Sequence, residues 1–203
     1  MPTKRVPEGG RTGHLYVISG PSGAGKGTLV EMLRGNVEGL WVSISATTRP
    51  PRKGEVEGVH YFFKTDAEFD DLIANDGLLE WANVHGHRYG TPRGPVLAHI
   101  ASGDQVILEI EPQGAFQVRD KYPDCILIFI EPPSMEELKR RLVGRGTETS
   151  EQIAGRLEVA QVEMAREVEY DVVVRNDDLD SAARELIGVI DDFATGSRTI
   201  KRT

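Results

Sequence analysis

One cysteine, Cys125, stands among 203 residues, so no disulfide framework within the chain is possible. It sits in the apolar run Cys125, Ile126, Leu127, Ile128, Phe129, Ile130, where packing rather than redox chemistry is expected of it. No apolar stretch approaches the roughly 18 residues of a membrane span. The N-terminal segment also lacks the apolar centre of a signal peptide. A cytoplasmic setting without a membrane partner is therefore expected. Internal repeats and low-complexity tracts are missing too. Positive charge is in short supply: 24 Lys and Arg stand against 32 Asp and Glu, for a net charge of −8. That balance argues against nucleic acid as the main partner, and it makes any local gathering of arginines informative. The pair His85 and His87 has no Cys or carboxylate at ligand spacing to complete a metal site.

What is present is the composition of an ordinary soluble domain, 28% charged and 39% hydrophobic. The length suits one domain with insertions better than two. Five apolar runs, 14–19, 40–45, 105–110, 125–130 and 171–175, alternate with helical patterns for the most part. That alternation predicts an α/β fold with a doubly wound parallel five-stranded sheet. Capping-box pairs mark three helix starts: Thr65 with Glu68, Ser134 with Glu137, and Thr149 with Gln152. After Thr149, residues Ile153, Leu157, Ala160, Met164 and Val168 fall on one helical face, as a core stripe would. The core spans 14–45 and 92–196, interrupted by a small α+β insertion at 46–91. A Gly-flanked polar piece at about 144–152 could serve as a hinged lid. Residues 1–13 and 197–203 read as solvated tails.

The most informative stretch is Gly20, Pro21, Ser22, Gly23, Ala24, Gly25, Lys26, Gly27, Thr28. It follows a short β-prone run and precedes helical spacing at Leu29, Val30, Met32 and Leu33. This is the strand–loop–helix context that the G-x-x-x-x-G-K pattern needs. Glycines let successive backbone N–H groups turn toward phosphate oxygens, and the helix N-terminus adds positive potential. Lys26 would reach the outer phosphates as a point charge. Gly27 stands where a Ser or Thr usually ligates Mg²⁺, with Thr28 about 100° further round the helix. Either Thr28 reaches the ion by a shifted geometry or water takes that place.

A second anion site is suggested by Arg49, Arg52 and Lys53, three cations within five residues of an acidic chain. Arginine forks match phosphate oxygens, and Pro50 and Pro51 stiffen the backbone that presents them. The order Ser-x-Thr-Thr-Arg-x-Pro-Arg-x-Gly-Glu-x-x-Gly-x-x-Tyr over 45–61 resembles the nucleotide-acceptor signature of guanylate kinases. The segments 80–82, 89–91, 108–114, 145–149 and 176–179 resemble that family in the same order, so the likeness runs from about residue 14 to 195. It implies an enzyme that moves a phosphoryl group from ATP to GMP (and dGMP), with Mg²⁺. On matching positions, Arg49, Arg52, Tyr61 and Tyr89 would hold the GMP phosphate. Ser45, Glu80, Thr91 and Glu111 would face the guanine. Arg145 and Arg156, with Arg141 nearby, would come from the lid onto the donor phosphates, and Asn176 would lie near the adenine. Lys26, Arg49, Arg145 and Arg156 would carry the catalysis.

The base assignment has its own chemistry. Guanine offers N1–H and N2–H₂ on one edge, a donor pair that a carboxylate such as Glu80 accepts through two oxygens. Adenine presents a lone pair there and would leave that acceptor unfilled, which a site of this kind rejects strongly. Glu111 followed by Pro112 departs from the family, which usually has Asp, and one methylene moves a carboxylate by about 1.5 Å. Two other readings stand beside this one: a non-catalytic interaction module of guanylate-kinase type, and a kinase for another nucleoside monophosphate. Lys26, Arg145 and Arg156 count against the first, and the 45–61 pattern with Glu80 against the second.

Overall fold

Strand β1 (His14–Ser19) alternates its side chains between two buried layers, and this sets the plan of the molecule. In the computed structural model, which describes residues 11–84, 86–144 and 149–200, Tyr16 and Ile18 enter one apolar cluster while Leu15 and Val17 enter another. A strand buried on both faces belongs in the middle of a covered parallel sheet. β1 is indeed central: it pairs in parallel with β7 (Gln105–Glu109) on one side and β8 (Ile126–Glu131) on the other. With β2 (Leu40–Val42) and β9 (Val172–Arg175) at the edges, the five-stranded order is β2-β7-β1-β8-β9, all parallel. The expected α/β architecture is thus observed, and Cys125 is buried as anticipated.

Helices cover both faces. On one side α1 (Lys26–Leu33) and α7 (Leu179–Ala194) pack with Tyr16 and Ile18. On the other, α3 (Arg93–Ala101) and α4 (Pro112–Lys121) contribute Val96, Ala115 and Val118. Helix α7 starts where Asp178 accepts a hydrogen bond from the Ser181 N–H at 2.9 Å, satisfying one of the orphan donors of its first turn.

Of the run predicted as one strand over 40–45, only Leu40–Val42 is strand. After Val42 the chain leaves the first sheet, and β3 (Ala46–Thr47) begins a second one. That sheet has the order β4-β3-β6-β5, with β4 (Phe62–Phe63), β5 (Leu78–Val84) and β6 (His87–Pro92). Helix α2 (Asp66–Ala74) closes it, burying Phe69 against Ala46 and Leu78.

Of the three capping boxes, those at Thr65 and Thr149 are complete. At Ser134 only half forms: its hydroxyl accepts from the Glu137 N–H. The Glu137 carboxylate instead pairs with Arg140 and Arg141 further along α5 (Met135–Gly144). The stripe after Thr149 needs a similar correction. Helix α6 (Ser150–Met164) ends before Val168, which lies in a 3-10 turn (Glu167–Glu169) and is 84% exposed. Helical spacing loses its meaning once the helix stops.

The described parts of the tails, residues 11–13 and 197–200, are held more firmly than expected. The Thr12 N–H donates to the Ala194 carbonyl, and Arg11 pairs with Asp191. At the other end the Arg198 N–H donates to the Asp192 carbonyl, and Ile200 packs against the core. Residues 1–10 and 201–203 lie outside the described residues, as do His85 and residues 145–148, which include Arg145 and part of the expected lid. No described helix is long and apolar enough to cross a membrane.

Candidate active site

The loop after β1 turns on three glycines in the left-handed half of backbone space: Gly20, Gly23 and Gly25, with φ of 139°, 93° and 99°. Their lack of a side chain is a spatial requirement as well. A Cβ at Gly20 would stand 2.4 Å from the Ile130 carbonyl, and one at Gly25 would stand 2.4 Å from the Asn176 amide nitrogen. The loop delivers Lys26 to the first position of α1, where its Nζ donates to the carbonyls of Gly20 and Pro21 at 2.6 and 3.1 Å.

Support for the loop comes from the far edge of the sheet. Asn176, 1% exposed at the end of β9, donates from its amide to the Ala24 carbonyl at 2.7 Å. Arg141 reaches both the Ala24 and the Asn176 carbonyls while its Nε donates to Glu137. Asn176 and Arg141 therefore brace the loop from the side. Arg156, on α6, extends to the Ser22 hydroxyl at 3.4 Å. Thr28 is exposed on α1.

Above the loop lies a cavity of about 820 Å³ whose walls include Lys26, Glu109, Glu111, Arg156 and Glu163. A smaller one, of about 160 Å³, adjoins it, lined by Ser45, Tyr61 and Thr91 among others. Glu109 and Ile110, at the end of β7, line both. Parallel strands leave their open crevice at the carboxyl ends, and β7 and β1 end side by side there.

Around the smaller cavity the arginine-rich segment is ordered by a carboxylate. Arg49 grips Glu55 through both terminal nitrogens at 3.0 and 2.8 Å, and its Nε donates to the Tyr89 hydroxyl at 3.2 Å. The guanidinium lies over the Tyr61 ring, 5.4 Å from its centre. The Arg49 contact, followed by the Arg52 backbone N–H, draws the Glu55 carboxyl down to about 2. Arg49, Tyr61 and Tyr89 thus meet at one point, while Arg52 is exposed beside them.

Glu80 is 6% exposed, an unusual place for a carboxylate, and it accepts a 2.7 Å hydrogen bond from the Thr91 hydroxyl. Burial pushes its carboxyl up and Glu111 repels it, while Thr91 opposes both. Glu111 itself is exposed at the start of α4, where its side chain makes no capping bond and Pro112 follows as the first helical residue.

Three carboxylates or amides matter that the sequence did not single out. Glu109 stands 3.4 Å from where a Cβ at Gly27 would sit, and cleft desolvation raises its carboxyl while Lys26 pulls it down. Its position at the end of a core strand was the available signal. Glu163, three residues beyond Ala160 on α6, is pushed up to about 7 by burial, with Lys26 opposing and Glu111 reinforcing. Gln117, on α4, has no sequence signature; only the packing of α4 against β5 shows what it touches.

A family model for guanylate kinase matches residues 12–193. The chain is 51% identical to the guanylate kinase of Thermobifida fusca over 190 residues, covering 94% of this chain and 97% of that one. It is 52% identical to the Streptomyces coelicolor guanylate kinase over 187 residues, covering 92% and 94%. Its fold is similar to the crystal structure of guanylate kinase from Anaplasma phagocytophilum, with a TM-score of 0.69 at 33% identity over 91% of this chain and 87% of that one.

Proposed function

The chain belongs to the guanylate kinase family and phosphorylates GMP to GDP with ATP as donor, and from that premise we propose how its residues divide the work. The observation that carries the division is the shared wall of Glu109 and Ile110 between the two cavities. ATP phosphates on the loop and a GMP phosphate beside Arg49 would then approach each other over the Glu109–Ile110 end of β7.

In this reading the donor lies over 20–28, with Lys26 turning from the loop carbonyls to the outer phosphate oxygens. Asn176 and Arg141 keep the loop in shape from behind. Arg156 comes from α6 onto the transferring group, together with Arg145. The acceptor phosphate is held by Arg49, Arg52, Tyr61 and Tyr89, and Glu55 fixes the plane of the Arg49 fork beforehand. An oxygen of the GMP phosphate forms a bond to the γ-phosphorus while the bond to the β–γ bridging oxygen breaks, in line. That oxygen is already ionised near neutral pH, so positioning and charge neutralisation replace a general base. Closure over both nucleotides, brought about by the insertion and the lid, would keep water from taking the phosphoryl group.

Mg²⁺ suits the residues present despite Gly27. Magnesium keeps several waters and needs only one or two carboxylates beside the substrate phosphates, and Glu109 Oε1 stands 3.4 Å from where a Cβ at 27 would sit. Glu109 would hold it, with Thr28 beyond on α1. When bound, the ion neutralises charge developing on the phosphate oxygens.

Guanine is read by Glu80, with Ser45, Thr91 and Glu111 around it. The buried carboxylate already hydrogen-bonded to Thr91 supports this, because its remaining lone pairs suit the guanine N1–H and N2–H₂ edge. We place the chain in the cytoplasm and expect it to accept dGMP as well. A panel of GMP, dGMP, IMP and AMP with ATP and Mg²⁺ tests the reading. Glu80→Gln should erase the preference for GMP over AMP while ATP binding persists; an unchanged preference would show that the base is read elsewhere.

A further inference from the structure

Strand β5 is the outer strand of the second sheet, and an edge strand leaves backbone N–H and C=O groups without a strand partner. Here a helix takes the partner's place. Three positions on one face of α4, at i, i+3 and i+7, meet β5 in turn. At 114 there is no side chain, and a Cβ there would stand 3.0 Å from Glu80 Oε2. At 117 the Gln amide closes a ring with one residue: its Oε1 accepts from the Trp81 N–H and its Nε2 donates to the Trp81 carbonyl, both at 3.2 Å. At 121 the Lys ammonium donates to the Leu78 carbonyl at 2.8 Å. Glu80 lies between these last two anchors. The ladder on its other side does not fix it as firmly, because the β5–β6 register shifts between Leu78 and Trp81.

We propose that Gln117 is a positioning residue for base discrimination: its two hydrogen bonds to the Trp81 backbone set where the Glu80 carboxylate stands. The proposal rests on Glu80 reading guanine. A side-chain amide can serve both the N–H and the C=O of one residue, since it carries a donor and an acceptor on separate atoms. Glutamate keeps the acceptor and loses the donor; leucine loses both. A Cβ at Gly114 would press on the flexible end of Glu80 at 3.0 Å and on Ile110 Cδ1 at 3.2 Å.

Steady-state kinetics with GMP and IMP, which differ only in the 2-amino group, test this on the full-length enzyme. In Gln117→Leu the KM for GMP should rise about tenfold, the worth of roughly one to two lost hydrogen bonds. The GMP-over-IMP ratio should fall with it, kcat should drop less than KM rises, and the KM for ATP should hold. Gln117→Glu should fall between parent and Leu. Gly114→Ala, which crowds Glu80 directly, should show the same loss of GMP over IMP, and Gln117→Glu keeps the test alive if Gln117→Leu folds poorly. In a Glu80→Gln background, Gln117→Leu should lower the ratio no further. Equal losses for GMP and IMP, or additive losses in the double variant, would overturn the proposal. If Glu80→Gln leaves the ratio untouched, the base-reading assignment fails instead; if it collapses the ratio while Gln117→Leu does not, only the role of Gln117 fails.

Discussion

Lys26 and Glu163 face the same cavity with opposite demands on charge, and each has a measurable consequence. In the proposed mechanism Lys26 stands where the transferring phosphoryl group gathers negative charge, a place where one lost donor costs on the order of 10²–10³ in turnover. Lys26→Ala should therefore lower kcat by about that factor while GMP affinity by calorimetry changes little; near-normal turnover would take the loop out of the mechanism. Glu163 runs the other way. Its carboxyl sits at about 7 in the fold, through burial first and Glu111 second, against an ordinary 4.5. The unfolded chain releases that proton more readily, so folding stability falls as pH rises from about 4.5 to about 7 and levels off above. Glu163→Gln removes the loss. Its Tm should match the parent at the acid end of that window and exceed it increasingly toward neutrality, whereas a constant difference would show that Glu163 does not titrate there.

Elements differ in how far their sequence patterns carry. Helix α7 buries Leu186 completely between the sheet and α1, and Leu186→Ala should cost about 2–5 kcal/mol in denaturant unfolding. Val168, which helical spacing places on the same stripe as Ala160, lies beyond the end of α6. Val168→Ser should therefore stay within about 0.5 kcal/mol of the parent; a larger loss would mean that the turn docks against something in solution. Capping shows the same limit. The pattern at Ser134 matches those at Thr65 and Thr149, yet Glu137 turns to two arginines instead of back to the cap. A capping box needs its acid uncommitted, and the sequence alone does not say what else that acid can reach.

At the scale of the molecule, the meeting of two cavities at Glu109 and Ile110 makes a joint prediction. Adenosine and guanosine joined 5′ to 5′ through a polyphosphate should occupy both cavities at once. Linking turns the second binding event into an intramolecular one, so this compound should bind on the order of 10²-fold or more tighter than ATP or GMP alone. A compound no tighter than ATP would separate the two sites.

The chain itself determined the cradle, the sheet class and the acceptor segment. Those features depend on short-range demands: glycines where φ is positive, an apolar run before the loop, arginines beside stiffening prolines. Glu80 is reached through the resemblance to guanylate kinases, and Arg49 through the gathering of cations in an acidic chain. Tertiary structure decided what those residues touch. Glu109 faces Gly27 because β7 lies beside β1. Asn176 braces Ala24 because the sheet order brings the end of β9 round to the loop. Gln117 meets Trp81 because α4, which follows β7, packs along a strand of the other sheet. Such contacts join residues tens of positions or more apart and follow from the order of strands in space, which no local preference encodes.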